Sequence, residues 1–320
     1  MIGSILFKLS CALQIIMIAV GKEIGKGAES VVTVDRLHEN NELIAFKTAN
    51  SVDFHRNLKK ESEILTLFDH PHIIKVKKPY ELLDSVDGGQ IARLGLELSM
   101  EGSVFEYMYS TQEGLPKRIA KFYLIQLLDA LEELQEKQIV HQDLKPENFL
   151  ILNKGGVIKI ADFGMYTDLN PVLEKKKSQE SPKARIKGTY TYMAPECHGG
   201  DKSFKSDIFS MMVSAFVLVH GFIPFESAKI TDKMYRLIVT NNDVEYTKTI
   251  KKISGSVDPV FLDLFFKGVK YQPSQRITLP EIRQHPWFTE DIGSQSEAES
   301  YIKDNMKTVR GDFISKLQDL

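Results

Sequence analysis

The first hundred residues contain short apolar runs separated by polar turns, which is typical of antiparallel strands. The runs at 31–34 and 43–46 are rich in β-branched and apolar residues, and the polar turn at 38–41 lies between them. A helix is predicted over 56–68, because its apolar residues fall on one helical face and the Asp-His-Pro that follows would end it. We therefore expect a β-rich lobe over residues 15–98.

The pattern becomes helical after Gly102. Apolar residues recur at helical spacing from Phe122 to Leu134, and a second apolar run covers 208–219. That run is shorter than the roughly 20 residues that cross a bilayer, so it predicts a buried core helix. The expected fold class is α+β, in which the small β-rich lobe is joined to a larger helical lobe over residues 99–288.

The last residues, 289–320, predict a tail that is partly helical, because five apolar residues there recur at helical spacing. They are Ile302, Met306, Val309, Phe313 and Leu317. Two interpretations stand beside each other: an autoinhibitory or partner-binding helix, and a helix that packs on the large lobe. Gly311 weakens a free helix, which favours packing.

The apolar N-terminus also has two interpretations. Residues 1–20 are mostly apolar and Lys8 is their only charge, which could indicate a secretory signal or a membrane anchor. Against this, Lys8 lies inside the apolar run, and 15–20 also fits the first strand of the β lobe. We favour the strand, with 1–14 as an N-terminal extension, because too few residues then remain to span a bilayer.

Charge and cysteine content narrow the range of partners. A net charge of -2 does not indicate binding to nucleic acid. The two cysteines, Cys11 and Cys197, lie far apart and lack metal-ligand spacing, which suits a reducing compartment. We expect a monomer in the cytoplasm without nucleic-acid or membrane partners, and attachment to a membrane or secretion is the minor alternative.

The strongest chemical signal is the sequence His-Gln-Asp-Leu-Lys-Pro-Glu-Asn at residues 141–148. Asp-Phe-Gly follows at 162–164, then Gly-Thr at 188–189 and Met-Ala-Pro-Glu at 193–196. Together these motifs resemble the catalytic loop, the metal-binding loop and the activation segment of the eukaryotic protein kinase superfamily. The resemblance covers about residues 19–288 and implies a two-lobed protein-kinase fold.

The resemblance assigns roles to the catalytic residues. Asp143 would accept or orient the proton of a substrate hydroxyl, and Lys145 would neutralise the migrating γ-phosphoryl group of ATP. Asn148 and Asp162 supply oxygen ligands of the kind that Mg²⁺ prefers. The implied activation-segment residues are Asp162, Phe163, Gly164, Thr189, Ala194, Pro195 and Glu196.

The resemblance also implies an ATP site. Lys47 would pair with the α- and β-phosphates, and an ion pair with Glu61 would hold it in place. Backbone groups of Glu97 and Ser99 would bind the adenine, with Leu96 as the gatekeeper. The implied ATP-binding residues are Ile24, Gly25, Lys26, Gly27, Ala28, Glu29, Ser30, Val31, Val32, Ala45, Lys47, Glu61, Leu96, Glu97, Ser99 and Leu150.

The glycine-containing turn at 24–31 is the weakest part of that site. Glycines at 25 and 27 would let backbone N–H groups approach phosphates closely. The family pattern expects a third glycine where Ser30 stands and an aromatic residue where Glu29 stands. A plain tight turn is the alternative interpretation.

The substrate class follows from the same comparison of motifs. Lys145 in the catalytic loop is similar to the serine/threonine class, so protein serine and threonine hydroxyls are the implied acceptors. Arg276 resembles the arginine that pairs with Glu196, and the ending at 285–288 is similar to that of calmodulin-dependent-like kinases. A pseudokinase scaffold and a kinase for small molecules are the competing functions. Glu29, Ser30 and Gln142 favour the scaffold slightly.

One position in the catalytic loop departs from the family. Gln142 stands where most such kinases have an arginine that pairs with a phosphate on the activation segment. Arg185 stands at the usual phosphorylation position, three residues before Gly188, and cannot be phosphorylated there. Because both departures remove partners of one contact, we predict that activity does not require phosphorylation at the usual site.

Overall fold

The alternation of apolar and polar residues in the N-terminal part of the chain produces an antiparallel sheet. The computed structural model describes residues 23–26, 30–37, 39–49, 51–84, 90–170, 190–289 and 291–317, with the backbone alone for 23–26 and 312–317. The strands are β1 (Glu23–Lys26), β2 (Ser30–Arg36), β3 (Leu43–Ala49), β4 (Val76–Asp84) and β5 (Gln90–Glu97). Their order in the sheet is β1-β2-β3-β5-β4.

The register of the central strands sets which side chains share a face. Val32 of β2 lies opposite Lys47 of β3, and Ala45 of β3 lies opposite Leu96 of β5. Side chains alternate between the two faces of a strand, so Ala45 and Lys47 lie on one face and the buried Phe46 on the other. The register therefore gathers four of the predicted ATP-binding residues on one face of the sheet.

One helix accompanies this sheet. Helix α1 (Val52–Leu65) begins and ends earlier than the predicted range of 56–68. Its first residues follow the extended Ser51, and after Leu65 the backbone continues in a tight turn, where the Phe68 N–H donates to the Leu65 carbonyl. Phe68 is nevertheless buried, and its ring lies 5.8 Å from the ring of Phe163. The apolar pattern thus predicted the buried face correctly and the boundaries incorrectly.

The rest of the chain is mainly helical, as predicted. Its helices are α2 (Val104–Thr111), α3 (Lys117–Glu136), α4 (Phe204–His220), α5 (Lys233–Val239), α6 (Asp243–Ser254), α7 (Pro259–Gly268), α8 (Leu279–Arg283) and α9 (Gln295–Leu317). Short strands accompany them: β6 (Gly102–Ser103), β7 (Ile139–Val140), β8 (Phe149–Leu152), β9 (Val157–Ile160) and β10 (Thr167–Asp168). The result is the expected α+β fold with a β lobe and an α lobe.

Helix α4 forms the centre of the α lobe. Its residues from Ser206 to Leu218 are buried, which is the expected state of a helix that is apolar on every side. Phe216 packs on Phe265 of α7 with ring centroids 4.8 Å apart. Throughout the part of the chain that the structure describes, no helix is both long enough and apolar enough to cross a membrane.

The C-terminal helix α9 packs on the α lobe, which is the interpretation that the sequence favoured. Ala298 and Ile302 are fully buried. Ile302 lies so close to Gly155, in the turn between β8 and β9, that a Cβ on Gly155 would come within 2.8 Å of it. Gly155 also has a φ of +108°, so a side chain there would be disfavoured on both grounds.

Several predictions fall on residues that the structure does not describe. They concern the extension 1–14, the strand at 15–20, and the position of Arg185 and Thr189 in the activation segment. These predictions stay as they were made.

Candidate active site

Three charged side chains from different parts of the chain meet between the two lobes. The Lys47 Nζ lies 2.9 and 2.7 Å from the two carboxylate oxygens of Glu61 and 2.7 Å from Asp162 Oδ1. Lys47 comes from β3, Glu61 from α1, and Asp162 from the loop after β9. The ion pair predicted between Lys47 and Glu61 is present, and the contact with Asp162 was not predicted.

The electrostatics of this group follow from burial and from the shared lysine. Burial alone would lower the pKa of Lys47, but the facing carboxylates of Asp162 and Glu61 outweigh it and raise that pKa. Burial raises the pKa of Glu61 against the effect of Lys47. For Asp162, Lys47 overcomes burial and lowers the pKa. The lysine is therefore charged, and Asp162 is the more strongly ionised of the two acids.

The catalytic-loop residues form a second connected group. The Lys145 Nζ donates to both oxygens of the Asp143 carboxylate, at 3.0 and 2.8 Å. The Asn148 amide donates to the Asp143 backbone carbonyl at 2.8 Å and to Asp143 Oδ2 at 3.1 Å. The carboxylate of Asp143 is thus fixed from two sides, and the structure brings the three predicted catalytic residues together.

Two buried side chains anchor this loop from below. Asp207, on α4, accepts the backbone N–H groups of His141 and Gln142 at 2.6 and 2.9 Å. The His141 ring contacts the Ala161 carbonyl through Nε2 at 3.1 Å and accepts the Asp143 N–H through Nδ1. Burial lowers the pKa of His141, which fits a neutral ring that donates at one nitrogen and accepts at the other.

The backbone is also strained at one position of the catalytic loop and at one position of the loop after β9. Gln142 and Asp162 have φ angles of +69° and +61°, in the left-handed region that residues other than glycine rarely adopt. Burial raises the pKa of Asp207 to about 7, against the opposing effect of the N–H donors of Gln142 and His141. The hydrogen bonds of Asp207 and His141 hold the catalytic loop in a costly conformation, so the surrounding fold determines the shape of this loop.

The donor chemistry of Asn148 and Asp162 fits the divalent cation that the family implies. Both offer hard oxygen atoms, and the Ala161 N–H donates to the Asn148 carbonyl at 2.9 Å, which places the two loops side by side. Among the residues that the structure describes, no cluster of three or more His, Cys, Asp or Glu side chains could hold a metal. Mg²⁺ commonly completes its coordination with substrate phosphates and water.

The predicted adenine site lies where β5 leaves the sheet. The Glu97 N–H donates to the Lys75 carbonyl at 2.9 Å, so only the carbonyl of Glu97 can serve a ligand. The Ser99 hydroxyl donates to the Ile151 carbonyl at 2.5 Å, and the Gly102 carbonyl lies 3.0 Å from the same hydroxyl oxygen. The side chain of Ser99 therefore shapes the connection between the lobes and leaves any ligand contact to its backbone.

The remaining ATP-binding predictions are distributed as follows. Ile24, Gly25 and Lys26 lie in β1, where Gly25 pairs with Val32 and Lys26 with Val31. Gly27, Ala28 and Glu29, at the tip of the turn, lie outside the described residues. Ser30 and Leu150 are buried. The strands of the predicted phosphate-binding turn are therefore seen, and its tip is not.

The described ends of the activation segment are fixed to the lobes. The Phe163 N–H donates to Glu61 Oε1 at 3.2 Å, and the Phe163 ring lies edge-on to His141 at 4.7 Å. Gly164 donates its N–H to Asp162 Oδ1 at 3.4 Å. Phe163 therefore connects the catalytic loop with α1.

At the other end of the segment, Ala194 is buried and Pro195 begins a short 3₁₀ turn. Glu196 forms the predicted ion pair with Arg276, with two contacts of 2.6 Å. These contacts fix the far end of the segment to the α lobe. Thr189 lies outside the described residues.

Sequence reasoning missed two residues of this site. No role was predicted for Asp207, although an acid inside an otherwise apolar helix indicates a buried partner. Thr167 was also missed. It lies in β10, opposite Val140, and its hydroxyl accepts a hydrogen bond from the side-chain amide of Gln142. Thr167 has no signal of its own in the sequence, because threonine is common in strands.

Comparison with known proteins places these features in a family. The family model described as the protein kinase domain matches residues 18–288. The SNF-related serine/threonine-protein kinase of Homo sapiens is 30% identical over 273 residues, which are 83% of this chain and 33% of that protein.

Two other relatives give similar values. The serine/threonine-protein kinase ATG1a of Arabidopsis thaliana is 29% identical over 279 residues, which are 85% of this chain and 42% of that protein. The Aurora kinase of Saccharomyces cerevisiae is 27% identical over 281 residues, which are 84% of this chain and 68% of that protein. The chain spans about a third of the length of the human relative. With most of its length matched by the family model and its motifs gathered in one cleft, this chain belongs to the protein kinase family.

Proposed function

We propose that this chain is an active serine/threonine protein kinase that transfers the γ-phosphoryl group of ATP, with Mg²⁺, to hydroxyl groups of proteins. One observation carries the proposal: five charged or amide side chains are held in two connected groups. Lys47, Glu61 and Asp162 form the first group, and Asp143 and Asn148 belong to the second. The hydrogen bond from the Ala161 N–H to the Asn148 carbonyl places the two groups side by side. A scaffold that performs no chemistry has no physical reason to keep all five side chains.

The roles follow from charge and position. Asp143, held by Lys145 and Asn148, accepts the proton of the attacking hydroxyl. Lys145 offers its positive charge to the phosphoryl group as it moves, and Lys47 binds the other phosphates. Asn148 and Asp162 would hold Mg²⁺, which supplies charge neutralisation at the phosphates.

The acceptor of the phosphoryl group stays a prediction. Protein serines and threonines are proposed as acceptors because the relatives are named serine/threonine-protein kinases.

The location of the protein in the cell also stays a prediction. A cytoplasmic location is proposed because the two cysteines suit a reducing compartment. Fractionation of cells that express the chain would test the location, and recovery in the membrane fraction would contradict it.

Incubation with ATP, Mg²⁺ and a generic protein substrate tests the activity. We expect phosphate transfer by the wild type and little transfer by Asp162→Ala, because that change removes the carboxylate assigned to the cation. Asp304→Ala is the matched control, since Asp304 is an exposed acid on the distant helix α9. A folded wild type that transfers no phosphate would favour the pseudokinase scaffold instead.

We also propose that activity does not depend on phosphorylation at the usual site of the activation segment. The side-chain amide of Gln142 donates to the Thr167 hydroxyl, which joins the catalytic loop to β10 through two uncharged groups. In kinases with an arginine at that position, a phosphate supplies a connection of this kind. The contact between Gln142 and Thr167 supports a loop that is ordered without the phosphate.

Removal of candidate phosphorylation sites tests this second proposal. Ser178→Ala and Ser181→Ala should each keep the wild-type rate, and treatment with a phosphatase should leave that rate unchanged. Thr191 is a poor candidate, since it is buried and its hydroxyl donates to the Glu226 carbonyl at 3.0 Å. Loss of activity in either variant, with recovery when aspartate replaces the serine, would contradict the proposal.

A further inference from the structure

A charged residue in the C-terminal helix is buried against the α lobe. Ala298, Ile302 and Arg310 of α9 recur at multiples of four residues, which places them on one face of the helix, and all three are buried. The burial of Ala298 and Ile302 is expected, because both side chains are apolar. Arg310 is different, because a cation that is only 3% exposed requires a compensating partner.

The main partner of Arg310 is a carboxylate that also caps the N-terminus of another helix. The Arg310 Nη1 donates to Glu106 Oε2 at 2.6 Å. The other oxygen of Glu106, Oε1, accepts the backbone N–H of Ser103 at 3.1 Å, in the capping box that begins α2. One carboxylate therefore joins the C-terminal helix to Ser103, the residue that caps the N-terminus of α2.

This carboxylate also supports the segment that connects the two lobes. Gly102 has a φ of +84°, and a Cβ on it would lie 2.8 Å from both Glu106 oxygens, so the backbone rests directly on Glu106. The Gly102 N–H donates to the Ser99 hydroxyl at 2.8 Å. Contacts thus run without a gap from Arg310 through Glu106 and Gly102 to Ser99, whose backbone is the proposed adenine contact.

A second contact fixes the same region. Glu101, next to Gly102, accepts the Lys154 N–H at 2.7 Å, and Lys154 precedes Gly155, on which Ile302 of α9 rests. The helix therefore holds the connecting segment from two directions. A shift of α9 would be transmitted to the backbone that borders the nucleotide.

We propose that Arg310 is a positioning residue for nucleotide binding, and that the ATP site needs a helix beyond the residues that match the kinase family. This inference rests on the proposed ATP-dependent activity. Hydrogen bonds to the adenine weaken steeply with small displacements of the backbone. Loss of the Arg310 contact therefore weakens ATP binding and leaves the distant phosphoryl-transfer residues in place.

Steady-state kinetics of the full chain, with ATP and a protein substrate varied separately, test the inference. For Arg310→Ala we expect the KM for ATP to rise about tenfold, because misplaced contacts far from the chemistry are costly. The kcat and the KM for the protein substrate should change by less than about twofold, since the path from Arg310 through Glu106 and Gly102 leads to Ser99 and not to Asp143. Lys307→Ala is the matched control, because Lys307 is an exposed cation one turn away on the same helix.

A double mutant identifies the path of the effect. Glu106→Gln keeps an oxygen for the Ser103 N–H and removes the charge that Arg310 requires. Arg310→Ala combined with Glu106→Gln should therefore have the same KM for ATP as Arg310→Ala alone. Additive increases would mean that the two residues act independently, which would overturn the inference.

Conservative variants keep the test decisive if Arg310→Ala does not fold. Arg310→Lys retains the charge, so its KM for ATP should lie between those of the wild type and Glu106→Gln. A lower melting temperature with an unchanged KM for ATP in these variants would reduce Arg310 to a structural role and overturn the inference. An inactive wild type would instead count against the proposed function, so the two failures are distinguishable.

Discussion

Two buried ion pairs in this kinase have similar chemistry and different surroundings. Lys47 lies among the carboxylates of Glu61 and Asp162, so the group carries one negative charge in excess, and the Asp162 side chain keeps 28% of its exposure. Arg276 pairs with Glu196 alone, its side chain is fully buried, and the pair has no excess charge. The first group faces the cleft, and the second lies inside the α lobe.

The donors of Arg276 show why the second pair is structural. The guanidinium has five N–H donors, and each has an acceptor: two on Glu196, and one each on the carbonyls of Lys205, Lys270 and Tyr271. Nothing remains for a ligand. An ion pair with excess charge and partial exposure is therefore the better indicator of a reactive site, because it can still bind a cation or a phosphate.

The largest expected effect comes from Lys47→Met. Phosphate transfer should fall about 100- to 1,000-fold, because a charge aimed at the phosphates is lost. Stability should change less, since Glu61 can take up a proton once Lys47 is gone, its pKa being already raised by burial. Transfer assays and thermal melting on one preparation measure both. Wild-type rates in Lys47→Met would remove the distinction between the two ion pairs.

Arg276→Met should give the opposite result. Removal of one partner leaves Glu196 with an uncompensated buried charge, which costs about 3–5 kcal/mol of unfolding free energy. Below its melting temperature the variant should keep most of its activity. Denaturant unfolding measures the loss, and Arg236→Met, at an exposed arginine of α5, is the control. A change within about 0.5 kcal/mol, the size of an ordinary surface substitution, would show that the pair does not stabilise the lobe.

A smaller effect is expected for Asp207→Asn, because Asp207 belongs to neither ion pair and holds the catalytic loop to α4. Asparagine offers one acceptor to the two N–H groups of His141 and Gln142, so one donor loses its partner, at a cost of about 1–3 kcal/mol. The rate should also fall, because these contacts hold the catalytic loop in shape. Unfolding and transfer are measured together, with Asp304→Asn as control. A fall in stability without a fall in rate would show that Asp207 stabilises the fold and does not support catalysis.

The sequence predicted much of the site because its parts lie within recognisable motifs. The pairs Lys47–Glu61 and Arg276–Glu196 were both inferred from motif order and are both present. The division into a β lobe and an α lobe followed from the spacing of apolar residues, which becomes helical after Gly102. Helix boundaries were less accurate, since the turn after Leu65 continues the apolar pattern beyond the helix.

What the sequence did not predict depends on contacts between residues that are far apart in the chain. Asp207 lies 66 residues from His141, and Arg310 lies 204 residues from Glu106. No local pattern marks such pairs, because only the tertiary fold brings them together. The bond between Gln142 and Thr167 is similar: the unusual glutamine was noticed, and its partner became visible only through the pairing of β7 with β10.

The most direct measurement follows a single turnover. Enzyme with bound ATP and Mg²⁺ is mixed with a serine-containing protein substrate, and the transfer rate is compared between the wild type and Asp143→Asn. Lys145 and Asn148 keep an oxygen partner in the variant, so only the proton acceptor changes. The account predicts equal ATP binding and a rate that falls about 100- to 10,000-fold. Equal rates, or no transfer by the wild type, would contradict it.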